Sequence, residues 1–222
     1  MNVLEVLSPF LTDRRKARMD QILSQRTRNL LLVLEDIYDP HNMSACLRTA
    51  EALGVQEVHV VEDRTPFKPC KKVSIGADKW LDVKKHKGAA HCVAELKARG
   101  YNVCAGALRE DAVSLTELDF TRPTALVFGN EHDGISQELL DLSDQVFVIP
   151  MEGFTQSFNI SVSAAISLFY AVQERIRRLG SSGDLVPEDV EELRAKWYTR
   201  SVPMAEEILA RAMENEGGVD EV

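Results

Sequence analysis

With 222 residues, 45% of them apolar, the chain is long enough for one sizeable domain or for a domain with appendages, and it can fill a packed core. Its 35 acidic residues outnumber its 26 basic ones for a formal charge of -9, which taken alone argues against a polyanionic partner. The first apolar stretch, Val3 to Leu11, contains Glu5 and lacks both a basic lead and a small-residue cleavage site, and no run approaches membrane-spanning length, so neither a secretory leader nor a membrane partner is expected.

From Thr12 to Thr27 the residues Ala17, Met19, Ile22 and Leu23 are spaced along one face of a basic helix, with Asp13 as its expected cap. Leu30 to Leu34 is a continuous apolar run, short enough for a buried strand. It gives way to a polar loop through Asp39-Pro40-His41-Asn42, after which Asn42 or Ser44 is expected to cap a helix through Ala45, Leu47, Ala50 and Leu53, stopped by Gly54. Glu57 to Val61 reads as the next strand. The alternation then recurs: helix Lys87 to Ala98, strand Asn102 to Ala107, strand Thr124 to Phe128, helix Gln137 to Leu142, strand Gln145 to Ile149 and a long helix from Ser161 to Leu179. This order predicts an α/β fold with a mostly parallel sheet covered by helices on both faces, and ligands at the carboxyl ends of its strands. Gly180 to Asp184 reads as a linker. Val186 to Trp197 and Met204 to Met213 read as helices, and Glu214 to Val222 as an acidic disordered tail. The expected division is therefore a basic helical segment over 1–28, the main domain over 29–180 and a helical extension over 181–222.

The basic residues are not scattered. Arg14, Arg15, Lys16, Arg18, Arg26 and Arg28 crowd the N-terminal segment, and Lys68, Lys71, Lys72, Lys79, Lys84, Lys85 and Lys87 form a second group. One such run is usually a solvated face; two in an acidic chain favour a surface that contacts phosphates. The four cysteines, at 46, 70, 92 and 104, show no CxxC or Cys/His spacing, so no metal site and no disulfide frame is expected, and reduced thiols fit a cytoplasmic protein.

Three segments stand where strands run into loops: Asp39 to Ala50, Leu126 to Ser136, and Ile149 to Ala165. In the first, Arg48 lies in an apolar helical stretch, where it either snorkels or pairs with a carboxylate such as Glu51, or is aimed at a phosphate or developing negative charge. In the second, Gly129-Asn130-Glu131-His132-Asp133-Gly134 is neither a Walker loop nor a GxGxxG fingerprint, which removes the usual support for NTP and nicotinamide enzymes, and by spacing alone it is a turn as readily as a site. His132 has the right chemistry for a general base, though a lone loop His is usually only solvated. In the third, Ser157 and Asn159 serve equally well as helix caps or as ligand contacts.

Taken together, over roughly Arg14 to Arg178, these segments resemble the three signature motifs of the SpoU/TrmH family of RNA ribose 2'-O-methyltransferases, within the SPOUT superfamily. The similarity is strongest to its branch that methylates guanosine 18 of tRNA, where Asp-Pro-His-Asn…Arg-Thr-Ala, Arg-Pro-Thr-Ala before the Gly-x-Glu loop, and Ile-Pro-Met…Gln-Ser-x-Asn-x-Ser-Val stand much as they do here. The resemblance implies a C-terminal trefoil knot, which general topology rules make improbable, S-adenosyl-L-methionine bound bent within it, an RNA partner and a homodimer whose subunits complete each other's sites. It implies catalytic roles for Arg48, Asn42, Glu131, Ser157 and Asn159, and cofactor contacts at Gly106, Gly129, Ile149, Ser157 and Phe158. Gly106 stands where many relatives have Thr and Phe158 where many have Leu, and the C-terminal region is short and acidic, so the grip on RNA falls to Arg15, Arg18, Arg26 and the Lys68 to Lys87 surface. The alternatives are the same chemistry on another tRNA nucleoside or on ribosomal RNA, or an RNA-binding module that has lost catalysis.

Overall fold

The computed structural model describes residues 2–68 and 70–217. In chain order the elements are α1 (Val3–Leu7), α2 (Asp13–Leu23), β1 (Leu30–Glu35), α3 (Pro40–Ala52), β2 (Glu57–Val61), α4 (Lys71–Ser74), β3 (Asp82–His86), α5 (Ala89–Ala98), β4 (Asn102–Gly106), β5 (Val113–Ser114), β6 (Thr124–Phe128), α6 (Gln137–Leu142), β7 (Gln145–Val148), α7 (Ile160–Leu179), α8 (Pro187–Ser201) and α9 (Ala205–Gly217). They fall into two compact units, one over 27–182 and one made of the described residues up to Arg26 and from Gly183 onward.

The larger unit is built on a seven-stranded sheet of order β3-β2-β1-β6-β4-β7-β5, in which every pairing is parallel. Every residue of β1, β2 and β6 is buried, as expected of central strands with helices on both faces. Successive β1 side chains alternate between two cores. Leu30, Leu32 and Leu34 pack with Leu47 and Ala50 of α3 and Leu168 of α7, while Leu31 and Val33 pack with Cys92, Val93 and Leu96 of α5 and Leu139 of α6. Each such side chain contributes about 1.5–3 kcal/mol when fully buried, so the central strands are the rigid part from which the loops are hung.

The sequence reading differs from the structure at the helix starts. Thr12, not Asp13, caps α2, accepting the Arg15 N–H, and α2 stops at Leu23. Asp39, not Asn42 or Ser44, caps α3, with Pro40 in its first turn, so Asn42 is released from a capping role. β3 and β5 are absent from the sequence reading: β3 is an edge strand carrying exposed Lys84 and Lys85, whose charge protects a sheet edge but hides the strand's period. The acidic segment from Glu214 is helical through Gly217, and the rest of the expected tail, 218–222, lies outside the described residues.

The smaller unit packs α1 against α8 and α9, and α2 against α8. Here Arg26 departs from its expected role. It is 0% exposed, with its guanidinium over the Trp197 ring at 5.4 Å, so it has no surface to offer RNA and serves the packing of this unit. Arg15 and Arg18 are exposed on α2.

At the outer part of the sheet, Glu57 is 1% exposed and accepts from Arg99 Nη1 (2.6 Å), Arg99 Nη2 (2.8 Å) and Lys84 Nζ (2.7 Å), and it shares a 2.8 Å bond with His59 Nε2. Burial pushes its carboxyl up, but the bonds from His59, Arg99 and Lys84 outweigh this and hold it well below the usual carboxylate range. His59 Nδ1 lies 2.8 Å from His86 Nε2, and Cys92 Sγ 4.0 Å from His59 Nδ1, a grouping of Cys and His that no sequence spacing announced. The two imidazoles satisfy one another by hydrogen bonding. Glu57→Gln is expected to cost about 2–3 kcal/mol, since Arg99 and Lys84 reach solvent and recover part of the loss. The depressed pKa makes this contribution complete above the ordinary Glu range and removes it as pH falls toward the folded value. Urea titrations of both proteins across pH 7 to 3 should show the gap between them closing on acidification.

Candidate functional site

The carboxyl ends of β4, β6 and β7 open onto a cavity of about 460 Å³, within the size range of small-molecule sites. Its floor is apolar, formed by Phe128, Phe147 and Ile149, with the first two rings edge to face at 6.0 Å. A Cβ at Gly106 would come within 3.1 Å of both rings, so a side chain there would require the rings to give by a few tenths of an ångström.

The loop after β6 forms one wall. Asn130 and Gly134 exchange backbone hydrogen bonds of 3.0 and 3.2 Å, and the Asn130 side-chain oxygen accepts the N–H groups of His132 (2.9 Å) and Asp133 (2.7 Å). Gly134 takes φ +72°, and a Cβ on Gly129 would lie 2.0 Å from the Gly134 carbonyl oxygen. The segment is thus a tight turn and a cavity wall at once. Its far end is clamped by Glu35, the last residue of β1, which accepts Ser136 N–H at 2.7 Å and Ser136 Oγ–H at 2.6 Å. Burial pushes the Glu35 carboxyl above its usual range, against the pull of both Ser136 bonds. Arg64 ties the exposed tip through Asp133, at 3.4 Å.

Three segments far apart in sequence meet at the mouth. Glu131 Oε1 accepts Asn42 Nδ2–H at 2.7 Å, its Oε2 accepts the Tyr38 N–H at 3.3 Å, and Asn42 Oδ1 accepts Asn159 Nδ2–H at 3.1 Å. Asn159 also caps α7, its oxygen accepting the Ser161 N–H and Oγ–H at 2.8 and 2.7 Å. Asn159 is therefore a helix cap at one end of its amide and a link to Asn42 at the other. Truncating Asn42 to Ala should uncouple these segments. We expect a fall of about 10–100-fold in any turnover that needs Glu131 and Asn159 held together, with Tm within about 2 °C of the parent by calorimetry, because the bonds removed are solvent-exposed.

The other anticipated residues are less uniformly gathered. Gly106, Gly129, Glu131, Ile149, Ser157 and Phe158 line the cavity. His132 also lines it, with its ring 5.5 Å from that of Tyr38. Arg48 does not. It is on the exposed side of α3, where among the described residues it forms no hydrogen bond or ion pair. The anticipated conflict of a cation within an apolar stretch is thus absent. Glu35 has no role in the sequence reading, and Asn130 and Gln156 stand inside its motifs without one, although a carboxylate closing an apolar strand and an Asn beside a glycine are visible signals.

Residues 29–169 match the model of the SpoU rRNA Methylase family. The chain belongs to that family. A relative from Borreliella burgdorferi, named tRNA (guanosine(18)-2'-O)-methyltransferase, is 40% identical over 89% of this chain and 90% of its own. The solved Aquifex aeolicus structure, described as a TrmH/SpoU tRNA modifying enzyme, superposes with a TM-score of 0.78 at 31% identity, over 86% of this chain and 98% of that one. The SpoU methyltransferase AviRb from Streptomyces viridochromogenes, solved in complex with the cofactor AdoMet, aligns with a TM-score of 0.62 at 27% identity, over 71% of this chain and 64% of its own. The parallel sheet and its covering helices are accordingly the SpoU architecture.

Proposed function

We propose that the protein methylates the 2'-hydroxyl of a ribose in structured RNA, guanosine 18 in the D loop of tRNA, with S-adenosyl-L-methionine as methyl donor, and that it does so in the cytoplasm. The observation that carries this reading is the hydrogen-bonded chain Glu131-Asn42-Asn159, which draws the three family segments to the mouth of one cavity. The named activity of the 40% identical relative supports the substrate.

The cavity fits the cofactor on its own residues. Its apolar floor suits an adenine ring, its polar rim suits the charged sulfonium and amino-acid end, and the wall at Gly129 presents backbone where a side chain has no room. Gly106, Gly129, Ile149, Ser157 and Phe158 would hold it, Gly106 through backbone alone. When bound, the cofactor supplies an electrophilic methyl group. The chain's own task is positioning: Asn42, Glu131, Ser157 and Asn159 fix the ribose at the mouth in line with that methyl. Arg48 is assigned a charged, steering role toward the 2'-oxygen and its neighbouring phosphate, since a guanidinium offers five donors and no acceptor and makes a poor base.

In this reading residues 29–180 are the methyltransferase body, threaded at its C-terminal part as a trefoil knot, and Arg15, Arg18 and the lysine surface grip the RNA. The working form is a homodimer. Val162 (43% exposed), Phe169 (56%) and Ile176 (42%) recur every seven residues and form an apolar stripe along α7, of the kind a second copy covers. Arg48, which does not line its own cavity, would then complete the partner's site. Incubation with methyl-labelled cofactor and unmodified tRNA or ribosomal RNA, followed by nuclease mapping, tests the whole. Label on the ribose of guanosine 18 is expected. Label on a base sinks the mechanism, and label only on ribosomal RNA sinks the substrate.

A further inference from the structure

Between α4 and β3 the chain does something costly. Ile75 adopts φ +48°, ψ +34°, the left-handed region that a β-branched residue rarely enters, and Gly76 follows at φ +80°. Asn or Gly would hold this backbone with little strain, and Ile75 gives little back through packing, because it is 69% exposed. An apolar side chain kept in a strained conformation and pointed at solvent is a feature that folding alone does not explain.

Its setting is electropositive. Lys68, Lys71 and Lys72 are exposed, and among the described residues none of them forms an ion pair, in a chain whose net charge is -9. Ile75 itself closes the α4 turn, its N–H donating to Lys71 O at 3.2 Å, so the apolar tip and the α4 lysines share one rigid turn. That turn is pinned to the helix bearing Asn42 and Arg48: the Cys70 N–H donates to Ser44 Oγ at 2.7 Å, and Ser44 Oγ–H to the Pro40 carbonyl at 2.7 Å. Ser74 Oγ–H donates to Asp78 at 2.9 Å, which stiffens the following bend.

We propose that this turn is an RNA-contact element in which Lys68, Lys71 and Lys72 take backbone phosphates and Ile75 is pressed against the face of an unstacked base. The proposal rests on the RNA methyltransferase reading and deepens it by assigning a base-contacting residue beyond the reaction centre. Unpaired lysines supply the sequence-independent attraction for a polyanion, and an apolar face is what an unstacked base offers that a phosphate does not.

The test uses the full chain and an unmodified tRNA transcript in filter binding across a salt series. Ile75→Asn, which tolerates the left-handed backbone, is expected to leave Tm unchanged or raise it by up to about 4 °C while weakening tRNA binding about fivefold, and Ile75→Leu to bind within twofold of the parent. Lys71→Gln and Lys72→Gln should each lower the slope of log K against log salt by about 0.7–0.9. Cofactor binding by calorimetry should be unchanged throughout. Ile75→Asn binding within twofold of the parent, or unaltered salt slopes, overturns the proposal, as does Ile75-dependent binding to anionic phosphatidylglycerol vesicles in place of tRNA. A parent protein that binds no RNA overturns the methyltransferase reading itself, so the two failures are told apart.

Discussion

Replacement of Arg48 by Ala is expected to lower methyl transfer by about 10²–10³-fold while leaving cofactor affinity within twofold. Two features of Arg48 separate these effects. It does not line the cavity, so its removal should not disturb what the cavity holds. It sits exposed on α3, and among the described residues it has no partner, so its truncation leaves no buried charge behind and Tm should move by less than about 2 °C. The functional loss then reports a guanidinium that acts only once RNA is bound. Arg48→Lys separates charge from shape. Lys keeps the charge but not the planar fork, so a steering role predicts most of the Ala defect, and near-full activity of the Lys variant would show that charge alone suffices. If the guanidinium serves the partner's cavity, equal mixtures of Arg48→Ala with a variant crippled at Asn42 should recover activity at one of the two sites of the mixed dimer. No recovery would confine Arg48 to its own subunit.

Strands and helices were legible where apolar runs were bounded by turn residues. Glu57–Val61, Thr124–Phe128 and Gln137–Leu142 match the sequence reading residue for residue. Legibility failed where a different requirement shaped the sequence. β3 carries Lys84 and Lys85 because it is an edge, and β5 is two residues long, too short to show a period. Caps were misassigned because Asp13 beside Thr12, and Asn42 and Ser44 shortly after Asp39, are equally plausible cappers by type, and only backbone geometry separates them. Arg26 read as one more arginine in a basic run, and nothing local foretold its stacking on Trp197, 171 positions away. The candidate site was legible as three motifs but not as one place. Asn42 meets Glu131 across 89 residues and Asn159 across 117, distances over which spacing carries no geometric information. Family resemblance supplied that connection, and the hydrogen bonds give it a physical form.

The second large effect is expected at Gly129, and its cause is steric. A methyl group there would stand 2.0 Å from the Gly134 oxygen, 2.1 Å from its carbonyl carbon and 2.3 Å from the Ile135 nitrogen, all of them backbone atoms that no rotamer change can move. Gly129→Ala therefore forces the turn apart. The backbone hydrogen bonds between Asn130 and Gly134 break first, and the Asn130 side-chain bonds to His132 and Asp133 follow, because they depend on the same curvature. At about 1 kcal/mol for each bond and a comparable amount for the strain that remains, the cost is roughly 3–5 kcal/mol, equivalent to a fall in Tm of about 6–20 °C. The same displacement moves the cavity wall and carries Glu131 away from Asn42, so cofactor affinity should fall by at least about 100-fold in calorimetry. Glu35 provides the control: Ser136→Ala removes the hydroxyl that Glu35 accepts at the far end of the loop but leaves the turn intact, and it should weaken cofactor binding by less than about tenfold. If Gly129→Ala binds cofactor as the parent does, the Gly129 to Gly134 turn is no part of the binding wall.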